Sequence, residues 1–115
     1  MIANVLSIAG SDPSGGAGIQ ADLKTFSALG CYGMAVITAL TAQNTQGVTG
    51  VHVPDAAFIA QQIDTIFADV RVDAVKIGML GSPEIVQAVA GALACHKPQH
   101  IVLDPVLVAT SGHSL

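Results

Sequence analysis

A glycine-rich segment near the start of the chain holds the residues most able to bind a small polar ligand. An apolar run over residues 5–9 leads into a loop with four glycines (Gly10, Gly15, Gly16 and Gly18), and a helical pattern follows directly. A strand, a glycine-rich turn and a helix N-terminus together present backbone N–H groups to a ligand. Glycine suits such a loop because a Cβ would block positive φ angles and close approach. The alternative to a ligand site is that this glycine-rich loop has a structural role alone, as a turn that allows the helix to pack on the sheet.

The loop differs from two common phosphate-binding patterns. No Lys-Ser or Lys-Thr pair follows its glycines, which excludes a Walker A loop. Residues 16–21 match the dinucleotide pattern G-x-G-x-x-A, but the acidic residue that accompanies such a site is missing from residues 41–44. A nicotinamide or flavin site is therefore disfavoured.

Polar or glycine-containing segments follow each predicted strand, at residues 10–12, 43–44, 78–79 and 104–106. In parallel sheets, ligands bind beyond the carboxyl ends of the strands, so these segments are expected to share one rim. The rim would offer one amide, several carboxylates and apolar walls, without an arginine or lysine: Gln43, Asp12, Asp22, Asp104, Met79 and Val106. This mixture favours a neutral, planar, hydrogen-bonding ring over a charged substrate.

The elements that position this rim alternate along the chain. Apolar runs predict buried strands at residues 3–9, 33–42, 73–79 and 100–103, with a short excursion at the sheet edge over residues 44–53. A first helix is predicted at residues 16–29. A second is predicted to begin at Pro54, with an apolar stripe formed by Ile59, Ile63, Ile66 and Val70. A third is predicted to begin with Ser82 as its N-cap, followed by Pro83 and Glu84 in the first turn. The alternation predicts an α/β fold with a mainly parallel sheet flanked by helices in three α/β/α layers.

Composition limits the classes of partner. The chain of 115 residues is 51% hydrophobic, has a net charge of −4 and has few aromatic side chains, which disfavours nucleic-acid binding. No apolar stretch reaches the length of a membrane span, and no secretory signal is recognised. Cys31 and Cys95 predict reduced thiols in a cytoplasmic protein. The histidines lack metal-ligand spacing and are expected at the surface or at strand starts: His52, His96, His100 and His113.

Four segments carry a specific family resemblance. They are residues 9–30 (AGSDPSGGAGIQADLKTFSALG), 38–45 (TALTAQNT), 75–80 (VKIGML) and 103–112 (LDPVLVATSG). In this order and spacing they resemble the hydroxymethylpyrimidine/phosphomethylpyrimidine kinases, thiamine-pathway enzymes of the ribokinase-like superfamily. The resemblance implies a ribokinase-like fold and ATP-dependent phosphorylation of 4-amino-5-hydroxymethyl-2-methylpyrimidine and its monophosphate, with Mg²⁺.

Members of that family are longer than this chain. The resemblance therefore implies that residues 1–115 are the N-terminal part of a single ribokinase-like domain. The sites for ATP and Mg²⁺ are expected mainly in the C-terminal half, with no catalytic or metal-binding residue here. A homodimer is expected for the full-length protein. Two alternatives stay open: a non-catalytic pyrimidine-binding module and a pyridoxine-type kinase of the same superfamily.

The resemblance implies that five residues bind the pyrimidine: Gln43, Asp22, Gly10, Met79 and Val106. An amide can donate and accept at once, as an aminopyrimidine edge requires. The alternative for Gln43 is a solvated glutamine in a loop, and the alternative for Asp22 is a carboxylate that interacts with the helix dipole. For Gly10, Met79 and Val106 the alternative is ordinary packing at strand ends. Asp12 and Asp104 are expected to orient loops or to face the phosphate and metal region, and Asp12 more often forms a turn beside proline. Lys76, in an apolar strand, must pair with an acid or extend to solvent.

Overall fold

The computed structural model describes residues 1–104, which form eight elements. The strands are β1 (Asn4–Gly10), β2 (Tyr32–Gln43), β3 (Val48–His52), β4 (Ala74–Ile77) and β5 (His100–Leu103). The helices are α1 (Gly18–Ala28), α2 (Ala56–Asp69) and α3 (Pro83–His96). The predicted α/β alternation is confirmed, although the strand predicted at 73–79 is shorter because the chain leaves the sheet at Gly78.

The five strands form one mixed sheet in the order β3-β2-β1-β4-β5. β1 is parallel to β2 and to β4, and β4 is parallel to β5, which confirms the mainly parallel sheet. β3 is antiparallel to β2 and is the predicted excursion at the edge. After the central strand β1, the chain adds β2 on one side of it. It later crosses over and adds β4 on the other side of β1. Such a reversal opens a crevice at the carboxyl end of the central strand.

Alternate residues of β1 face opposite layers. Leu6 and Ile8 are fully buried in a core that includes Ile63 of α2. Ser7, between them, donates a hydrogen bond to Asp22 of α1. α2 and α3 therefore cover one face and α1 covers the other, which confirms the three layers. The remaining buried members of the core are Met34, Val36, Ile59, Val75, Ile85, Val89, Ala92 and Leu93.

α2 and α3 begin at side chains that cap their first turns. The Asp55 carboxylate accepts from the Phe58 N–H at 2.8 Å, and the Ser82 hydroxyl accepts from the Ile85 N–H at 3.3 Å. These bonds satisfy N–H groups that have no partner within the helix. α1 begins at Gly18 rather than at residue 16, because the preceding residues belong to the loop.

Gln62 of α2 forms hydrogen bonds with backbone groups on the unpaired edge of β2. Its Oε1 accepts from the Ile37 N–H at 3.0 Å, and its Nε2 donates to the Ile37 carbonyl at 2.9 Å. β3 pairs with β2 only from Leu40 onward, so this amide takes the place of a neighbouring strand. Unpaired backbone groups at a strand edge are costly when buried and invite non-native pairing. No sequence pattern predicted this contact.

His96 is less exposed than expected. Its ring stacks on Phe67 with centroids 4.6 Å apart, and its Nε2 lies 2.7 Å from Asp64 Oδ1, which joins α3 to α2. His113, which was expected at the surface or at a strand start, lies outside the described residues. Cys31 and Cys95 are free, as expected. No helix among residues 1–104 has the length and apolar character needed to cross a membrane.

We expect Ile63→Ala to destabilise the chain by about 2–5 kcal/mol, because Ile63 is fully buried and its truncation leaves a cavity. Ile2→Ala is the matched control: Ile2 is 63% exposed, and its truncation should change the free energy of unfolding by less than about 0.5 kcal/mol. Urea unfolding followed by circular dichroism measures both. Equal losses would contradict the assignment of the core.

Candidate functional site

Asp12 organises the glycine-rich loop between β1 and α1. Its carboxylate is buried, and Oδ1 accepts from the Ser14 N–H at 2.9 Å and from the Ser14 hydroxyl at 2.6 Å. Oδ2 accepts from the N–H groups of Gly16 at 3.0 Å and Ala17 at 2.9 Å. One carboxylate thus satisfies four donors and fixes the path of the loop, which confirms the expected turn-forming role of Asp12.

These hydrogen bonds favour the ionised form of Asp12. The bond from the Ser14 hydroxyl is the largest cause that lowers the pKa of Asp12 below its ordinary value of 3.8, and the backbone N–H groups of Ser14, Ala17 and Gly16 act in the same direction against desolvation. Because folding lowers this pKa, the stabilisation is fully present above pH 3.8 and is lost as the pH falls through the folded value.

Gly18 allows α1 to begin directly against the end of β1. Its φ is +59°, and a Cβ at this position would collide with the backbone carbonyl of Gly10. Gln20, in the first turn of α1, accepts from the Asp12 N–H at 2.7 Å and donates to the Ser11 hydroxyl at 2.8 Å. The helix start, the loop and the strand end therefore form one rigid unit.

The end of β2 is attached to the same loop through Thr41. Its hydroxyl oxygen lies 2.8 Å from the Ser11 carbonyl oxygen and 3.0 Å from Gln43 Oε1. Within residues 1–104, the side-chain nitrogen of half-buried Gln43 donates to no acceptor. The Thr41 hydroxyl has one proton and two acceptors within reach, so the Gln43 amide contacts Thr41 and has hydrogen-bonding capacity left for a ligand.

Three of the predicted binding residues lie at the same edge of the sheet. Gly10 ends β1, Gln43 ends β2, and Met79 follows β4 with its side chain 38% exposed. The carboxyl ends of these parallel strands flank the crevice at the chain reversal. Val106 lies outside the described residues.

Asp22 lies on the face of α1 that packs against the sheet. Its Oδ2 accepts from the Ser7 hydroxyl at 2.7 Å and from Lys76 Nζ at 2.9 Å, and its side chain is 18% exposed. Lys76 Nζ also lies 3.9 Å from Asp104 Oδ2. Of the two alternatives for Lys76, pairing with an acid is the one observed, and Asp22 is an ion-pair partner rather than a free carboxylate at the helix terminus.

The expectation of a rim without cations is wrong. Lys24 of α1 reaches back to donate to the Gly15 carbonyl at 3.0 Å, and Lys76 extends from β4 towards Asp104 at the end of β5. Neither lysine lies within a predicted rim segment, although Lys76 comes two residues before Gly78, and their long side chains carry the ammonium groups to the rim.

A second depression lies between α2 and β2, lined by Ala35, Val36, Phe58, Gln61, Gln62, Thr65 and Ile66. It is shallow, mostly apolar and free of charged side chains. Gln62 there already binds the backbone of Ile37. The polar groups that could bind a ligand converge instead at the carboxyl edge of the sheet. In the part of the chain that the structure describes, no three His, Cys, Asp or Glu side chains are placed to hold a metal ion.

Comparison with known proteins identifies the family. The phosphomethylpyrimidine kinase family matches residues 12–115. The chain belongs to this family. It is 60% identical over 112 residues to the hydroxymethylpyrimidine/phosphomethylpyrimidine kinase of Escherichia coli, covering 97% of this chain and 42% of that protein. It is 57% identical over 115 residues to the same kinase of Rhizobium meliloti, covering 100% of this chain and 43% of that protein. This phosphomethylpyrimidine kinase family member spans less than half the length of these curated relatives.

Solved structures confirm the ribokinase-like α/β fold. The phosphomethylpyrimidine kinase of Clostridium difficile superposes with a TM-score of 0.93 at 54% identity, covering 98% of this chain and 49% of that one. The pyridoxal kinase of Staphylococcus aureus in complex with pyridoxal superposes with a TM-score of 0.82 at 38% identity. The match covers 94% of this chain and 40% of that one.

We expect the Asp12 carboxylate to titrate below pH 3.8, because the hydrogen bonds from Ser14, Gly16 and Ala17 hold it ionised. The amide resonances of Gly16 and Ala17, followed by NMR as the pH is lowered, report this transition. In Asp12→Asn the same resonances should show no such titration. A midpoint at or above pH 3.8 would contradict the role given to this carboxylate.

Proposed function

We propose that the full-length protein that contains these residues phosphorylates 4-amino-5-hydroxymethyl-2-methylpyrimidine and then its monophosphate with ATP, in thiamine biosynthesis in the cytoplasm. Residues 1–115 are proposed to be the N-terminal part of one ribokinase-like domain and to supply its pyrimidine site. Family membership supports the reaction class. The observation that carries the site is the Gln43 amide, which has hydrogen-bonding capacity left beside the glycine-rich loop at the carboxyl edge of the sheet.

Each proposed binding residue has a distinct task. The Gln43 amide holds the pyrimidine through a ring nitrogen or the exocyclic amine, and Thr41 contacts this amide from the loop. Asp22 provides a carboxylate that can accept from the exocyclic amine of the pyrimidine. Gly10 brings backbone close to the ring, and Met79 supplies an apolar wall. Val106 is proposed as a second wall.

ATP and Mg²⁺ are proposed to bind mainly through the C-terminal half of the full-length protein. Phosphoryl transfer depends on positioning and on stabilisation of charge at the transferring group. Among residues 1–104, no three His, Cys, Asp or Glu side chains converge on one point. We assign no catalytic residue and derive no metal-dependent step from them.

The full-length protein is further proposed to act as a homodimer on a small molecule, rather than on nucleic acid or a membrane. The net charge of −4 supports the exclusion of nucleic acid. β3 supports self-association, because this edge strand exposes the apolar side chains of Val48 and Val51.

Pyridoxal is the second candidate substrate. The pyridoxal kinase of Staphylococcus aureus shares 38% identity and the fold over 94% of this chain. The higher identity to the pyrimidine kinases, 60% with that of Escherichia coli, favours the pyrimidine. A non-catalytic pyrimidine-binding module is the remaining alternative; it would bind the pyrimidine without forming ADP.

We expect the purified full-length protein with Mg·ATP to form ADP in the presence of hydroxymethylpyrimidine and of its monophosphate, with a higher kcat/KM for the pyrimidine than for pyridoxal. A coupled ADP assay with product identification by mass spectrometry measures all three reactions. Failure to phosphorylate either pyrimidine would reject the proposal, and preference for pyridoxal would support the second candidate.

We expect Gln43→Ala to weaken binding of hydroxymethylpyrimidine by about 1–3 kcal/mol, because a hydrogen bond in a partly buried site is lost. Gln46→Ala is the matched control, since Gln46 is an exposed amide in the following turn. Asn44 is a poorer control because its Oδ1 accepts from the N–H groups of Gln46 and Gly47 and so shapes this turn. Calorimetry that gives equal affinities for wild type and Gln43→Ala would remove Gln43 from the site.

A further inference from the structure

Lys76 joins three elements beside the candidate pyrimidine site. It lies in β4, opposite Ser7 of β1 in the strand register. Its ammonium group lies 2.9 Å from Asp22 Oδ2 in α1 and 3.9 Å from Asp104 Oδ2, directly after β5. The side chains of Lys76 and Asp22 are 20% and 18% exposed, against 65% for Asp104. One largely buried cation thus faces carboxylates from two other elements.

Gly78 provides the space for this cation. A Cβ at Gly78 would lie 2.8 Å from the Cβ of Ala9, closer than packed side chains allow, and 3.2 Å from Lys76 Nζ, which would have to shift. The backbone cannot move away easily, because the Gly78 N–H donates to the Ile8 carbonyl at 2.9 Å. The absence of a side chain at this position therefore leaves room for the ammonium group beside Asp22.

The two oxygens of Asp22 have different surroundings. Oδ2 accepts both protein hydrogen bonds, from the Ser7 hydroxyl and from the Lys76 ammonium. Oδ1 accepts none from the side chains and backbone of residues 1–104. Removal of Lys76 would leave a partly buried carboxylate with only a serine hydroxyl to orient it, which is unfavourable. The ion pair therefore determines which oxygen of Asp22 is left for a ligand.

We propose that Lys76 is a positioning residue for the pyrimidine site. It holds Asp22 through Oδ2 so that Oδ1 stays free to accept from the amino group of the substrate. Lys76 itself does not contact the substrate. This inference rests on the proposed function, because it assigns a support to one of the proposed binding residues.

The test is steady-state kinetics of the full-length protein with hydroxymethylpyrimidine as the varied substrate. Lys76→Met removes the charge and keeps the length of the side chain, and it should raise KM about tenfold while kcat stays within about twofold. Lys97→Met is the control, since Lys97 is an exposed lysine at the end of α3 and should leave both constants unchanged. An unchanged KM for Lys76→Met would overturn the proposal.

A double-mutant cycle separates positioning through Asp22 from a general loss of structure. In the Asp22→Asn background, Lys76→Met should change KM by less than about twofold, because the carboxylate that it positions is already gone. Equal fold-changes in both backgrounds would overturn the proposal. Should circular dichroism show that Lys76→Met is unfolded, Lys76→Gln replaces it with the same expectations.

The same experiments distinguish failure of the inference from failure of the proposed function. A wild-type enzyme without pyrimidine kinase activity rejects the proposed function and the inference together. An active wild-type enzyme with unchanged KM in Lys76→Met rejects the inference alone.

Discussion

The contact between the start of α1 and the end of β1 is the constraint on which the candidate site depends. Because Gly18 has no side chain, the first turn of the helix lies directly against the carbonyl of Gly10. The intervening residues must then fold back within a short distance, and the Asp12 carboxylate makes this possible by accepting their N–H groups. This geometry fixes the rotation of α1 and so directs Asp22 towards the sheet rather than towards solvent.

Local signals in the sequence were sufficient to predict most of the elements. Asp55 and Ser82 lie directly before helices and form the caps that such residues commonly form. The contacts that were missed join residues far apart in the chain. The bonds between Gln62 and Ile37 and the pairing of Lys76 with Asp22 depend on how helices cross the sheet, and no short pattern encodes this.

The candidate site could be located from the sequence, but its atomic detail could not. Gln43 was placed correctly at a strand end because the apolar run before it marks where β2 stops. The contact of its side-chain amide with Thr41, whose hydroxyl also lies near the Ser11 carbonyl, was not predicted. The ammonium group of Lys76 was missed at the rim because sequence position indicates where a side chain starts, not how far it extends.

Residues 10–43 form one continuous stretch that contains the glycine-rich loop, all of α1 and the strand end with Gln43. The fully buried residues of α2 and α3 pack on the opposite face of the sheet and lie outside this stretch. Met34 and Val36 of β2 belong to both this stretch and the core. Ligand preference can therefore be altered at the loop and at Gln43 with the packing across the sheet kept, but not at the buried positions of β2.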